Sequence, residues 1–343
     1  QVEPIGAVIP RHASDVQAVL EVANRLGAPL LARGGGTSLT GQTVNHAVVL
    51  DFSRHMNQVL EVNAEERWVR VQPGVVQDEL NQHVRAQGLL FGPDTSTSNR
   101  ATIGGMLGNN SGGSHSIAYG LTVEHVIELT TLLADGSRAV FGTVTPAEFQ
   151  AKARLETLEG QIYREVGRIR DQYRDEIPRR YRMHWRRVCG YNLNELIKDG
   201  PLNMARLIVG SEGTLLTIVE AKMRLVPRPK KTALDLIHYT DIQEGLESSQ
   251  AILETGPYAV ELTDKMILDL ARANIEQRAR MGFVQGDPAA ILIVEYTGDT
   301  DAEVKDKIEK LEALRARERF GYTGHVALDG AEQQSIWKLR KAG

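Results

Sequence analysis

Residues 33–42 read Arg33-Gly34-Gly35-Gly36-Thr37-Ser38-Leu39-Thr40-Gly41-Gln42, directly after the short apolar run Pro29-Leu30-Leu31-Ala32. Glycines permit backbone shapes closed to other residues and let main-chain N–H groups approach a ligand closely. Such a loop is a natural cradle for a diphosphate. The stretch nearly matches the Walker A pattern: Gly36 and Gly41 have the right spacing, but Gln42 and Thr43 stand where Lys-Thr would be. The lysine that reaches the outer phosphates of a nucleoside triphosphate is therefore missing. No helix signal follows either, because Asn45-His46 leads straight into Ala47-Val48-Val49-Leu50-Asp51-Phe52, which reads as a strand. The pattern excludes an ATPase and keeps a diphosphate; the competing reading is a glycine-rich surface turn.

Working outward, Val16, Val19, Leu20 and Ala23 share one face of a helix over 14–26, with Ser14 and Gln17 as its capping box and Gly27 as its stop. Trp68–Gln72 alternates like a strand, and a short helix through Leu80 and Val84 ends at Gly88. Val126–Leu133 and Arg138–Phe141 flank Asp135-Gly136, a hairpin signal. Thr145, Pro146 and Glu148 open a polar helical stretch reaching about Tyr181. Arg206–Val209 and Leu215–Val226 read as two strands around a further glycine-bearing turn. Pro227-Arg228-Pro229-Lys230-Lys231 reads as a linker, since prolines cannot continue a ladder. Beyond it, strands (Ala233–Tyr239, Tyr258–Leu262, Ala290–Tyr296) alternate with helices (Ile242–Leu253, Lys265–Met281, and a last one capped by Thr300 and Glu303), as in a small α+β domain.

A chain of 343 residues accommodates two domains. Its formal net charge of −4 argues against a nucleic-acid or polybasic membrane binder. The single cysteine, Cys189, excludes an internal disulfide framework, and a thiolate zinc or iron–sulfur set is absent, so no metal site is expected. No apolar run is long enough to span a bilayer, and Gln1-Val2-Glu3-Pro4 does not open a secretory signal. A cytoplasmic location is expected, with peripheral membrane attachment left open.

Residues 92–120, GPDTSTSNRATIGGMLGNNSGGSHSIAYG, carry almost no large side chains, and a plain loop of that length is usually functional or disordered. Thr102-Ile103-Gly104-Gly105 and Asn109–Gly113 would offer backbone donors, hydroxyls and amides, and Gly210-Ser211-Glu212-Gly213-Thr214 forms a third small-residue patch. One extended ligand touching all three is simpler than three coincidental turns.

Here the chain resembles the FAD-linked oxidase family, whose cofactor domain is shared with vanillyl-alcohol oxidase and p-cresol methylhydroxylase. The matching motifs are Ala32–Ser38 with Gly41-Gln42, then Gly92-Pro93-Asp94, Thr102–Gly105, Asn109–Gly113, Tyr119-Gly120, and Gly190-Tyr191-Asn192-Leu193 leading to Gly210–Leu215. Within the family it is most similar to the D-2-hydroxyacid dehydrogenases, especially long bacterial members with an iron–sulfur region further along. The resemblance implies an α+β chain with a two-subdomain FAD domain of the p-cresol methylhydroxylase type over 1–229. A partial ferredoxin-like substrate domain is expected over 230–343. It implies FAD held by Arg33, Gly34, Gly35, Gly36, Thr37, Ser38, Gly41 and Gln42 at the diphosphate. Pro93, Asp94, Thr102, Ile103, Gly104, Gly105, Asn109, Ser111, Gly112, Tyr119, Gly120, Glu212, Gly213 and Ile218 complete the expected set. Some relatives tether the flavin to a histidine in the first loop; none stands there, so a dissociable FAD is expected, with His115 the nearby alternative.

The implied reaction is oxidation of a small anionic D-2-hydroxy acid, with electrons passed to a quinone, a flavoprotein or an iron–sulfur region. Ser335–Arg340 resembles the helix whose arginine grips the substrate carboxylate, which suits the planar fork of Arg340; a solvated helix-end arginine is the alternative. The family's histidine-bearing Gly-Asp-Gly-Asn and Glu-His-Gly segments do not appear, so no general base is named, and the chain reads as a fragment that turns over poorly alone. Two alternatives stay open: a non-catalytic electron-transfer subunit and an NADPH-dependent flavoprotein reductase. Arg179, Arg180, Arg182, His184, Arg186 and Arg187, interleaved with Tyr181 and Trp185, are read as a solvated patch rather than a nucleic-acid surface. Cys189, His238 and His325 are read as structural.

Overall fold

The computed structural model describes residues 2–181, 186–188 and 190–342. The chain divides into two units, one of residues 1–113 and 120–227, the other of 114–119 and 228–343.

In the first unit, three parallel strands pair in the order Gly6–Val8, Val48–Asp51, Leu30–Arg33. The helix Ala13–Leu26 links the first strand to Leu30–Arg33, as parallel pairing requires. It buries Val16 and Leu20 against Leu50, Phe52 and Met56. Gly27 ends it in the left-handed conformation at φ 63°. Its first turn differs from the expected capping box. Asp15 accepts from the N–H groups of Arg11 and His12 at 2.8 and 3.0 Å, while Gln17 turns outward to Glu21. The helix starts two residues ahead of the Ser14 cap, with Asp15 rather than Gln17 reaching back to the N-cap N–H.

A five-stranded antiparallel sheet follows, ordered Val59–Asn63, Trp68–Val71, Thr217–Arg224, Val126–Leu132, Arg138–Phe141. Its hairpin turns at Gly136, φ 81°, beside Asp135, which accepts from the Ser137 N–H. The polar stretch forms helices Pro146–Ala153, Leu158–Tyr173 and Ile177–Arg180, the first opened by the Thr145–Glu148 capping box.

Two local expectations are corrected. The 92–120 block contains the helix Ile103–Asn109, capped by Thr102, whose Ile103, Met106 and Leu107 enter the core. Gly104 is there for close packing, since a Cβ would lie 2.6 Å from the Pro73 Cβ. Ahead of Gly210 stands a short helix, Met204–Ile208, not a strand; it is buried nearly all round, which erases the period that would have told the two apart.

The second unit is an antiparallel sheet ordered Ala259–Asp264, Ala290–Gly298, Lys231–Tyr239, Thr323–Ala327. With the helices Lys265–Ala273 and Ile275–Arg278 inserted between the second and third strands, this order is the split βαβ, ferredoxin-like arrangement. One face packs Ile237, Tyr239, Leu292 and Val294 under the helices Ile242–Glu254 and Asp301–Glu318. The other packs Leu234, Leu236, Ile291 and Ile293 under Lys265–Ala273 and Gly330–Ala342. The expected 265–281 helix breaks at Asn274, whose side chain accepts from the Glu276 and Gln277 N–H groups and restarts it as Ile275–Arg278. Thr300 caps Asp301–Glu318 as expected, but a further strand and helix follow it. Lys231, read as linker, already pairs with Gly298.

Candidate functional site

In the first unit the three small-residue segments converge on one cavity of about 310 Å³. Their approach is set by missing side chains. A Cβ on Gly34 would lie 2.0 Å from Thr102 Oγ1, and one on Gly35 would lie 2.1 Å from the Arg100 carbonyl oxygen. The third segment is tied in by backbone, with Gly210 N–H donating to Leu107 and Glu212 N–H to Gly108 at 2.9 and 3.0 Å. Arg33 braces the first loop from inside. Its guanidinium lies where a Cβ on Gly36 (φ 64°) would come within 2.5 Å, and Nη1 donates to the Thr43 carbonyl at 3.3 Å.

Among the described residues, the N–H groups of Gly34, Gly35, Gly36, Thr37 and Ser38 meet no hydrogen-bond acceptor, although all five residues line the cavity. Backbone donors normally find partners. Five consecutive free donors leave a nest for an anion. Gln42, Thr102, Gly104, Gly105, Asn109, Ser111, Gly112, Glu212, Gly213 and Ile218 line the same cavity. Phe52, Pro73, Met106 and Leu216 supply an apolar side, and Thr95, Ser96 and Thr97 a run of hydroxyls. A nest for phosphate, hydroxyls for a polyol and an apolar wall for a flat ring fit FAD. Burial pushes the Glu212 carboxyl above its usual range, with a hydrogen bond from Gln42 opposing.

Other expected residues lie elsewhere. Ile103 is wholly buried in the core. The Pro93 carbonyl accepts from the buried Gln77 side chain. Asp94 backs Gly113, where a Cβ would lie 1.3 Å from the Asp94 carbonyl oxygen. Gly41 (φ 90°) carries the turn to Val44, and Gly120 (φ 74°) backs onto the Glu124 carboxylate. Tyr119 belongs to the second unit, where the Tyr258 hydroxyl donates to its own.

Within the second unit, Arg340 donates from Nε and Nη2 to one oxygen of Glu261 at 3.1 and 2.7 Å. His115 Nε2 lies 2.7 Å from Glu295, whose side chain is 7% exposed. His238 is buried, and burial lowers its pKa; His325 pairs with Glu332 at 2.7 Å. Of the basic run, Arg180 pairs with Glu176 and Arg187 stacks over Tyr181, while Arg182, His184, Trp185 and Cys189 lie outside the described residues. Among the described residues no group of side chains could hold a metal ion and no helix is long and apolar enough to cross a membrane.

Sequence reasoning missed Phe52 and Pro73, which carry no signal beyond a strand end and a turn. Thr95–Thr97 were visible as hydroxyls inside the small-residue block. The His115–Glu295 pair joins residues 180 positions apart, and nothing local announces it.

Residues 4–142 match the model of the FAD binding domain, and residues 228–343 that of the FAD linked oxidases, C-terminal domain. A D-2-hydroxyglutarate dehydrogenase of Pseudomonas putida is 35% identical over 98% of this chain and 35% of its own length. A glycolate oxidase subunit GlcD of Bacillus subtilis is 30% identical over 91% of this chain and 55% of its own. The chain thus spans about a third to a half of these relatives. The solved structure of p-cresol methylhydroxylase with substrate bound superposes with a TM-score of 0.67 at 14% identity, covering 99% of this chain and 61% of that one.

Proposed function

Because the chain belongs to the FAD-linked oxidases, we propose that the first unit's cavity holds FAD and that the parent protein oxidises a 2-hydroxy acid. The free N–H groups of residues 34–38 carry this assignment. They would hold the diphosphate, Thr95–Thr97 and Asn109–Gly112 the polar chain, and Phe52, Pro73 and Ile218 the ring. When bound, FAD supplies a two-electron acceptor for the hydride leaving the substrate's C2. Arg340 would pair with the substrate carboxylate through its planar fork. The names of the relatives support D-2-hydroxyglutarate, D-lactate and glycolate as the substrate class. Electrons would leave to a quinone, a flavoprotein or an iron–sulfur region.

Saturating the purified chain with FAD and removing the excess by gel filtration tests the first part; a yellow, near-stoichiometric preparation is expected and a colourless one refutes it. Anaerobic addition of each hydroxy acid tests the second. Bleaching is expected, whereas bleaching by NADPH alone would favour a reductase.

A further inference from the structure

The motif Gly190-Tyr191-Asn192-Leu193 lines no part of the first unit's cavity, yet its side chains grip the turn 210–214, which does. On its inner side that turn is held by the Gly210 and Glu212 N–H groups, which donate to the Leu107 and Gly108 carbonyls at 2.9 and 3.0 Å. The turn's backbone is strained, since Glu212 stands at φ 52° without being glycine. A residue keeps that conformation only where its surroundings hold it. The outer side supplies the hold. Asn192, 3% exposed, donates from Nδ2 to the Val209 carbonyl at 2.7 Å and to the Arg206 carbonyl at 3.2 Å. Its Oδ1 accepts from Arg187 Nη2 at 3.2 Å, and the Arg187 carbonyl accepts from the buried Asn110 side chain at 3.3 Å. At the far end of the turn, the Tyr191 and Thr214 hydroxyl oxygens lie 2.8 Å apart. Thr214 Oγ1 gives its one hydrogen to the Ser211 carbonyl at 2.6 Å, so the Tyr191 hydroxyl is the donor. The grip is thus buried at Asn192 and open to water at Tyr191, which is 42% exposed.

We propose that Tyr191 and Asn192 are positioning residues of the cofactor site, and that the Tyr191–Thr214 bond is a latch that sets how fast the cofactor leaves. This rests on the FAD assignment above. Ser211, Glu212 and Gly213 line the same cavity as the loop 34–38. A ligand that fills the cavity is released when the turn lifts away from that loop, and lifting the turn breaks the hydroxyl bond. Tyr191 acts through Thr214, and Asn192 acts through Val209.

The test is the rate at which the FAD-loaded protein releases its flavin, followed by the recovery of flavin fluorescence on dilution, with the urea midpoint of each variant read alongside. Tyr191→Phe deletes one half-exposed hydroxyl and should speed release about three- to tenfold, as one hydrogen bond broken on opening implies, with the urea midpoint unmoved. Thr214→Ser keeps both hydroxyl bonds and should release FAD within about twofold of the wild-type rate. Thr214→Val removes the acceptor, so adding Tyr191→Phe to it should change nothing further. Asn192→Ala should speed release as well; if it fails to fold, the Tyr191 and Thr214 variants decide the matter. Release from Tyr191→Phe at the wild-type rate, or an undiminished effect of Tyr191→Phe in the Thr214→Val background, overturns the proposal. Release that rises only in step with a falling urea midpoint overturns it too. A wild-type protein that retains no FAD after gel filtration overturns the cofactor assignment itself, and this proposal with it.

Discussion

Asp235 lies mid-strand in Lys231–Tyr239, wholly buried, with neither carboxylate oxygen at hydrogen-bonding geometry to any partner among the described residues. Burial foremost, then the neighbouring Glu312 carboxylate, pushes its carboxyl up to about 8, with Arg315 opposing. Burial would raise Glu312 too, but Arg315, donating from Nε at 2.9 Å, and Asp235 outweigh it and hold Glu312 below its usual value. The folded chain therefore keeps a proton on Asp235 at a pH where the unfolded chain, with an ordinary value of 3.8, has released it. Stability linked to this group is full below about pH 4 and falls as pH rises, by about 1.4 kcal/mol per unit, until about pH 8. The loss over the window approaches about 6 kcal/mol, a large part of a domain's stability. Glu312 acts below that window. The buried His238, its pKa lowered by burial, favours the folded state as pH rises, but it is common to both proteins compared. Asp235→Asn stays neutral throughout. Pulse proteolysis in urea, following fragments of residues 228–343, should show the wild-type midpoint falling between about pH 5.5 and 8.5 and no such fall in Asp235→Asn. Equal slopes in the two proteins would refute the reasoning.

Four further outcomes are expected. Gly35→Ala drives a Cβ to 2.1 Å from the Arg100 carbonyl, a backbone atom that cannot yield as a side chain can, so FAD affinity by fluorescence quenching should fall more than about tenfold. Gly34→Ala meets the Thr102 side chain at 2.0 Å, and removing that hydroxyl with Thr102→Ala should restore part of the loss. Glu212→Gln should bind FAD like the wild type at acid pH and more tightly at alkaline pH, because the wild-type carboxyl, raised by burial, ionises beside an anionic ligand; a parallel pH dependence counts against this. Arg340→Lys should weaken 2-oxoglutarate binding about tenfold in calorimetry while leaving FAD content intact, since an ammonium cannot replace the fork.

The loops legible in the sequence were those whose work is done by the backbone. Glycine at 34, 35 and 104 is demanded by atoms that a Cβ would strike, and its residue identity records that demand. Thr37 and Ser38, small and polar beside those glycines, are legible for the same reason. The hidden elements were those whose local signals conflict. Ile103, Met106 and Leu107 have helical spacing, but the glycines between them read as loop, and only burial in the core supplies what propensity lacks. Met204, Ala205, Leu207 and Ile208 are all buried, so period could not separate helix from strand.

The side-chain chemistry was hidden for a different reason. His115 sits in a six-residue segment that packs with the second unit although the chain on either side of it belongs to the first. Its carboxylate partner comes from a strand 180 residues later, in the apolar run Ala290-Ile291-Leu292-Ile293-Val294, where Glu295 reads as the polar end of a strand. Burial turns that ordinary glutamate into a fixed hydrogen-bond acceptor. A cofactor gripped by main-chain donors leaves its mark as a contiguous run of small residues. A hydrogen-bonded side-chain pair such as His115–Glu295 is created only when distant segments fold together, and neither half carries a local signature.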